Sequence, residues 1–112
     1  MKRSEIWLIN LDPTIGAEIR KVRPAIIISH NDLGVLPLKI IIPITEWKKQ
    51  YSVAPWMVQI FPDDSNGLSK TSSADALQIR SVSVERFVKR IGSINIEILE
   101  QIEEAISQVL SL

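Results

Sequence analysis

The chain contains no cysteine. Disulfides, thiolate nucleophiles and cysteine-based zinc sites are therefore excluded, and the absence is compatible with a reducing compartment. Histidine is almost missing as well, because His30 is the only one. A phosphodiesterase built on two histidines is ruled out, and a lone His at the end of an apolar strand reads as structural. No Asp, Glu or His spacing suggests a metal site, and Asp63-Asp64 in a turn reads as solvated. No metal and no cofactor are expected. No glycine-rich loop leads from a strand into a helix, so nucleotide hydrolysis is not indicated. No apolar run approaches the roughly 20 residues that span a bilayer. The start, Met1 to Glu5, runs straight into a strand-like segment without the pattern of a signal peptide. These absences point to a cytoplasmic protein without a membrane segment. With 112 residues, 46% of them hydrophobic, the chain has the size and apolar content of a single domain, residues 1–112.

Net charge is zero, but it is unevenly spread. Residues 1–60 carry eight Lys/Arg against five Asp/Glu, and residues 61–112 carry five against eight. Arg20, Lys21 and Arg23 form the basic cluster; Glu97, Glu100, Glu103 and Glu104 form the acidic one. A neutral protein can present a local positive face, and both clusters also suit ordinary solvated surface.

Alternation of apolar residues predicts a strand over Glu5 to Leu11, with Ile6 and Leu8 on one face and Trp7, Ile9 and Leu11 on the other. Asp12-Pro13-Thr14-Ile15-Gly16 breaks it and opens a loop that runs to about Val22. Ala25 to Ser29 reads as a strand buried on both faces. A turn at Asn31 to Gly34 follows, then a third strand, Leu38 to Ile42, stopped by Pro43. Thr45 to Tyr51 fits a helical turn or a loop. Further strands are expected at Trp56 to Phe61, near Gln78-Ile79-Arg80 and at Ile91 to Ile94. Ser83 is placed to cap a short helix over Val84 to Lys89. Asn95 caps a final helix, where Ile98, Leu99, Ile102, Ala105, Ile106, Val109 and Leu110 share one face. Many short strands followed by one amphipathic helix give a mostly antiparallel barrel or twisted sheet with a helix packed on it.

One polar set stands out within this layout: Glu18, Arg20, Lys21 and Arg23 around the first loop, and Thr45 after the third strand. Arg23 precedes Pro24, whose fixed φ holds the arginine backbone, and a guanidinium fork fits a phosphate. If the second and third strands pair, Arg23 and Thr45 can meet at one phosphate. Spacing alone favours the plainer reading, a structural ion pair for Arg23 and a capping role for Thr45.

The stretch Glu5 to Glu18, reading EIWLINLDPTIGAE, resembles the opening of the MazF/PemK toxins. Arg23-Pro24-Ala25-Ile26-Ile27-Ile28-Ser29 is similar to their second strand, and Pro43-Ile44-Thr45 to their Pro-x-Thr element. Gly67-Leu68 with Ser72, Gln78-Ile79-Arg80, Lys89-Arg90-Ile91-Gly92 and the closing helix follow in the same order. The resemblance covers the whole chain. It implies an SH3-like small barrel of the CcdB/MazF type, mainly β with helices and a C-terminal amphipathic helix, assembled as a homodimer. It implies a type II toxin that cleaves single-stranded RNA without a metal and is neutralised by a MazE-like antitoxin. The family's catalytic pair would be Arg23 and Thr45, with Glu18 also implicated. Asp12, Pro13, Thr14 and Gly16 would shape the RNA groove, joined in RNA binding by Arg20, Lys21, Gln78 and Arg80. The chain departs from the family pattern at Glu46, Leu77 and Val22. Glu46 puts a negative charge beside the phosphate site. Two alternatives keep the fold without the catalysis: a barrel that poisons DNA gyrase by binding it, and a plain interaction module.

Overall fold

The computed structural model describes residues 1–112. Seven antiparallel strands precede one helix: β1 (Glu5–Asn10), β2 (Val22–Ile27), β3 (Leu38–Glu46), β4 (Met57–Ile60), β5 (Ser72–Asp75), β6 (Arg80–Ser83), β7 (Phe87–Ser93) and α1 (Ile96–Leu110). The strand order is β4-β5-β3-β2-β1-β7, with β6 also paired to β3. A single 3-10 turn, Val84–Arg86, joins β6 to β7. Since β6 lies on β3 and β7 on β1, with β2 between, the sheet wraps into the expected small barrel.

The third strand does not stop at Pro43. It runs to Glu46, and Pro43 sits inside it, in register with Ala25 of β2. A proline is tolerated there because of what happens on the opposite edge of β3. Pairing with β6 ends at Ile41, and pairing with β5 begins at Ile44. Pro43 occupies the changeover, where no ladder bond is lost. Thr45 and Glu46 are thereby strand residues, and the helical turn is confined to a 3-10 segment at Lys49–Val53.

Two other expectations need correction, and one strand was not foreseen. Gln78 does not lie in a strand: Ala76–Gln78 is a 3-10 turn, and β6 begins at Arg80. The Asp75 carboxylate caps that turn, accepting the Leu77 N–H at 3.1 Å, which bends the chain away from a ladder. The helix expected over Val84 to Lys89 is the three-residue turn alone. Ser83 does cap it, accepting from the Glu85 N–H, but β7 has started by Phe87. Finally, the short β5 of small polar residues, Ser-Ser-Ala-Asp, had no apolar alternation to announce it.

Two cores lie on opposite faces of the sheet. Ile26, Ile28, Ile42 and Ile44 join Ile6, Val58, Ile60, Ile102 and Ala105 under α1. Ala25, Ile27 and Ile41 join Ile9, Leu11 and Val82 on the other side, with Trp7 and Phe87 packed against them. Strand β2 is thus buried on both faces from Ala25 onward, as the apolar run predicts, but it begins three residues earlier than expected, at Val22, where Val22 and Arg23 are exposed. Helix α1 carries the expected stripe, although Leu110 at its end is half exposed. Asn95 caps it, with Oδ1 accepting the Ile98 N–H at 2.9 Å. No helix is long and apolar enough to cross a membrane.

Two positions make stability tests. Gly92 in β7 lies against the main chain of Ser65 and Asn66, and an added Cβ would land on those atoms. Gly92→Ala is expected to cost about 2 kcal/mol of unfolding free energy through overpacking, read by denaturant titration. Asp75 is 5% exposed. Burial pushes its carboxyl above the ordinary value of 3.8, against the opposing pull of the Leu77 and Gln78 N–H groups. A raised native pKa means that the folded state holds the proton more tightly, so stability falls as pH rises from 3.8 through the native value. Asp75→Asn removes that dependence while keeping an acceptor for Leu77. The melting-temperature difference, variant minus wild type, should increase with pH across this window; a decrease would refute the assignment.

Candidate active site

Arg23 and Thr45 belong to neighbouring strands whose pairing stops just short of them. The last registered pair of β2 and β3 is Ala25 with Pro43. Two residues further along each strand, the same register sets Arg23 across from Thr45. By strand alternation both project to the face that carries Ala25 and Pro43. Each strand is held from behind: Arg23 is registered with Ile9 of β1, and Thr45 with Ser73 of β5. Pro24 and Pro43 fix φ next to the gap. The result is an open cleft of about 250 Å³, lined by Arg23, Pro24, Ile44, Thr45, Glu46, Lys48, Lys70 and Ser72.

Glu46 does line this cleft, but it is not a lone negative charge. Its Oε2 lies 3.4 Å from Lys70 Nζ. Three cationic side chains and one carboxylate leave the cleft at +2. The cleft can therefore hold an anionic group between the Arg23 guanidinium, the Thr45 hydroxyl and flanking ammonium groups. Lys48, Lys70 and Ser72 were not picked out as site residues from the sequence. Lys48 and Lys70 are 22 positions apart, and only the pairing of β3 with β5 brings their segments together. The one available signal was the match of Ser72 to the family pattern.

Glu18 lies elsewhere. It lines a second, larger cavity of about 450 Å³ with Ala17, Ile19, Pro43, Gln78 and Arg80 among its walls. Its Oε1 accepts the Ile15 N–H at 2.7 Å. Arg80 is registered with Ile41, so Arg80, Pro43 and Thr45 share one face of the sheet. The two cavities therefore follow one another along β3. From Ile41 to Thr45 this face measures about 13 Å, at roughly 3.3 Å per residue.

The side chain of Gln78 is spoken for. Its Oε1 accepts the Ile19 N–H at 2.6 Å, and its Nε2 donates to the Ala17 carbonyl at 3.2 Å. Both groups flank Glu18, so this amide clamps the β1–β2 loop from either side of the glutamate. Arg80 donates to the Leu11 carbonyl. Asp12 organises the loop rather than facing the clefts: Oδ1 accepts from the Lys21 N–H at 3.1 Å and from the Thr14 hydroxyl. Arg86 donates to the Asn10 and Asp12 carbonyls. Gly16 takes a positive φ of 59° at the loop's far end. Pro13, Gly16, Arg20 and Lys21 are exposed, and Thr14 is partly so. None of these four exposed residues lines either cavity.

His30 is exposed, its Nδ1 accepts the Asp32 N–H in a local turn, and it lines neither cavity. Nowhere do three His, Cys, Asp or Glu side chains gather as a metal-holding group.

Comparison with known proteins agrees with this architecture. The family described as PemK-like, MazF-like toxin of type II toxin-antitoxin system matches residues 2–110. The endoribonuclease MazF9 of Mycobacterium tuberculosis is 31% identical over 118 aligned residues, covering 100% of this chain and 98% of that protein. A crystal structure of MazF from Deinococcus radiodurans superposes with a TM-score of 0.81 at 22% identity, covering 100% of this chain and 97% of that one. A mycobacterial endoribonuclease, solved in complex with its cognate antitoxin, superposes at 0.78 with 17% identity, covering 100% and 96%. With the family's match spanning nearly its full length, the chain belongs to the PemK-like, MazF-like toxins of type II toxin-antitoxin systems.

Proposed function

We propose that this toxin is an endoribonuclease that cuts single-stranded RNA without a metal ion, with Arg23 and Thr45 at the scissile phosphate. The observation that carries this reading is their meeting across the gap between β2 and β3, in a cleft of net positive charge. In a metal-free ribonuclease the RNA supplies its own nucleophile, the 2′-hydroxyl. Attack on phosphorus expels the 5′-oxygen and leaves a 2′,3′-cyclic phosphate and a 5′-hydroxyl. Negative charge builds on the phosphate oxygens during that step. Fixed donors aimed at those oxygens stabilise the transition state most. Arg23 supplies the guanidinium and also gives a hydrogen bond to the leaving 5′-oxygen, which takes its proton from water, while Thr45 donates to a non-bridging oxygen.

Arginine, with a pKa of about 12.5 or above, is a poor proton acceptor. We assign the 2′-hydroxyl proton to Glu18. In the described conformation Glu18 lines the adjoining cavity, and catalytic contacts commonly tighten only when substrate is bound. RNA running along β3 would cross both cavities. The loop residues Asp12, Pro13, Thr14 and Gly16, with Arg20 and Lys21, then border its path; Gln78 and Arg80 hold that border. The curated relative named an endoribonuclease covers the whole chain, which supports the same chemistry.

The partner we infer is a MazE-like antitoxin with an extended acidic segment. Arg20, Lys21 and Arg23 suit such a segment electrostatically, and it would compete with RNA for the cleft. The solved relative bound to its cognate antitoxin supports this. We place the pair in the cytoplasm, with the RNA. A second copy of the chain is expected to cover an apolar strip that no part of the molecule covers: Leu33, Val35, Leu36, Leu38 and Ile40 are all exposed, and the one charged residue within this stretch, Lys39, is turned to the other face of β3 by strand alternation.

Incubation with a long single-stranded RNA in EDTA should give discrete fragments with 2′,3′-cyclic phosphate ends. Arg23→Ala should lower the cleavage rate by about 100- to 1,000-fold, and Glu18→Gln should lower it less. DNA of the same sequence should bind uncut. Intact RNA from folded wild-type protein would leave a binding-only module. Light scattering should give a dimer mass, reduced to that of a monomer by the double substitution Leu38→Glu, Ile40→Glu.

A further inference from the structure

The cleft beside Arg23 and Thr45 holds more cations than one phosphate contact needs. Lys48 and Lys70 reach it from separate segments. Both segments are anchored. The Ser72 hydroxyl, on a buried residue, donates to the Lys70 carbonyl at 2.9 Å. The Trp47 N–H donates to the Thr71 carbonyl at 3.1 Å, and the Lys48 carbonyl accepts the Tyr51 N–H at 2.9 Å. The backbones under the two lysines are therefore fixed relative to β3, while both side chains are exposed to solvent.

Glu46 adds the second observation. It pairs with Lys70, yet both side chains are more than 60% exposed. A pair this open contributes little to stability, since water screens it. It does place a carboxylate where a phosphate oxygen would sit against Lys70. We propose that Lys48 and Lys70 form a second phosphate subsite, next to the one at Arg23 and Thr45. Glu46 is its resident competitor, occupying Lys70 until the neighbouring phosphate of the chain displaces it. The proposal rests on the RNA reading above. It turns Glu46 from an obstacle to binding into the element that sets its strength.

Salt dependence separates this from a structural role, because each phosphate neutralised by a cation releases counterions. The probe is a mixed-sequence single-stranded DNA oligonucleotide, which keeps the phosphates and lacks the 2′-hydroxyl. Its Kd is measured over a salt series for wild type, Lys48→Ala, Lys70→Ala and Glu46→Gln. Cleavage of a long single-stranded RNA by wild type is assayed in parallel. Each lysine variant should flatten the slope of log K against log salt by about 0.7, with an unchanged melting temperature. Glu46→Gln should tighten binding roughly fivefold, the size of one exposed charge interaction, and should lose that gain when combined with Lys70→Ala. Wild-type slopes in both lysine variants would overturn the subsite while leaving RNA cleavage by wild type intact. A wild-type protein that neither binds the oligonucleotide nor cuts RNA would overturn the subsite and the ribonuclease reading together.

Discussion

Strand β3 must satisfy two neighbours on one edge while keeping a third on the other. Over Leu38 to Ile41 it pairs with β6, and over Ile44 to Glu46 with β5. Across the opposite edge it pairs with β2 only from Ile41 to Pro43. Proline in the middle of a sheet ordinarily removes a ladder bond. Pro43 does not, because it fills the changeover between two partners. Pro24 has a matching place: it is registered with Leu8 of β1, one residue before the β2–β3 ladder begins. The two prolines thus mark the point where β2 and β3 part. Beyond it the strands remain rigid, since β1 and β5 hold their outer edges, but their facing edges are open to a ligand. The positions that follow the parting are Arg23 and Thr45. A ladder that ends between two supported strands holds two backbones still beside an open space, which is the arrangement the proposed chemistry requires.

Much of the architecture was legible from periodicity. The α1 stripe, the Asn95 cap, the two-sided burial of β2 and the split of Ile6 from Ile9 follow from spacing and from the chemistry of caps. The misreadings have physical causes. Pro43 looked like a stop because the usual rule assumes a strand paired along its whole length. Strand β5 was invisible because Ser72, Ser73, Ala74 and Asp75 are buried without being apolar; neighbouring strands enclose them, and their own composition gives no sign of it. Gln78 was grouped with Ile79 and Arg80 in one short strand, yet the buried Asp75 carboxylate turns the chain there. At the site, Arg23 and Thr45 could be paired from the sequence only by assuming that their strands were neighbours. Lys48 and Lys70 had no local signature at all. Glu18 was grouped with Arg23 by proximity in sequence, whereas the Gln78 clamp draws it to the adjacent cavity.

A protein of zero net charge can still favour an anion when its cations are concentrated at one place. Here the mechanism is topological. Arg23 arrives on β2, Lys48 follows β3, and Lys70 precedes β5, so a single strand order converges three charges that the sequence disperses. The glutamates of α1 are kept apart from them, since the helix packs on the other face of the sheet. The local field in the cleft is therefore set by β3 and its neighbours, and screening confines it to about 8 Å at physiological salt.

The two cavities differ in what holds their walls. The cleft at Arg23 and Thr45 is bounded by paired strands, and altering its geometry means altering the sheet. One wall of the larger cavity is the β1–β2 loop around Glu18, tied at its middle by one side-chain amide to Ala17 and Ile19. The ends of that loop are tied by Arg80, Arg86 and Asp12, so change is cheapest at its exposed middle, where backbone contacts to the sheet are fewest. If RNA lies along β3, the part of the groove that performs chemistry is rigid and the part that meets the adjoining nucleotide is adjustable. Substitutions in the loop or at position 78 would then reshape the adjoining pocket while leaving the parting of β2 and β3 unchanged.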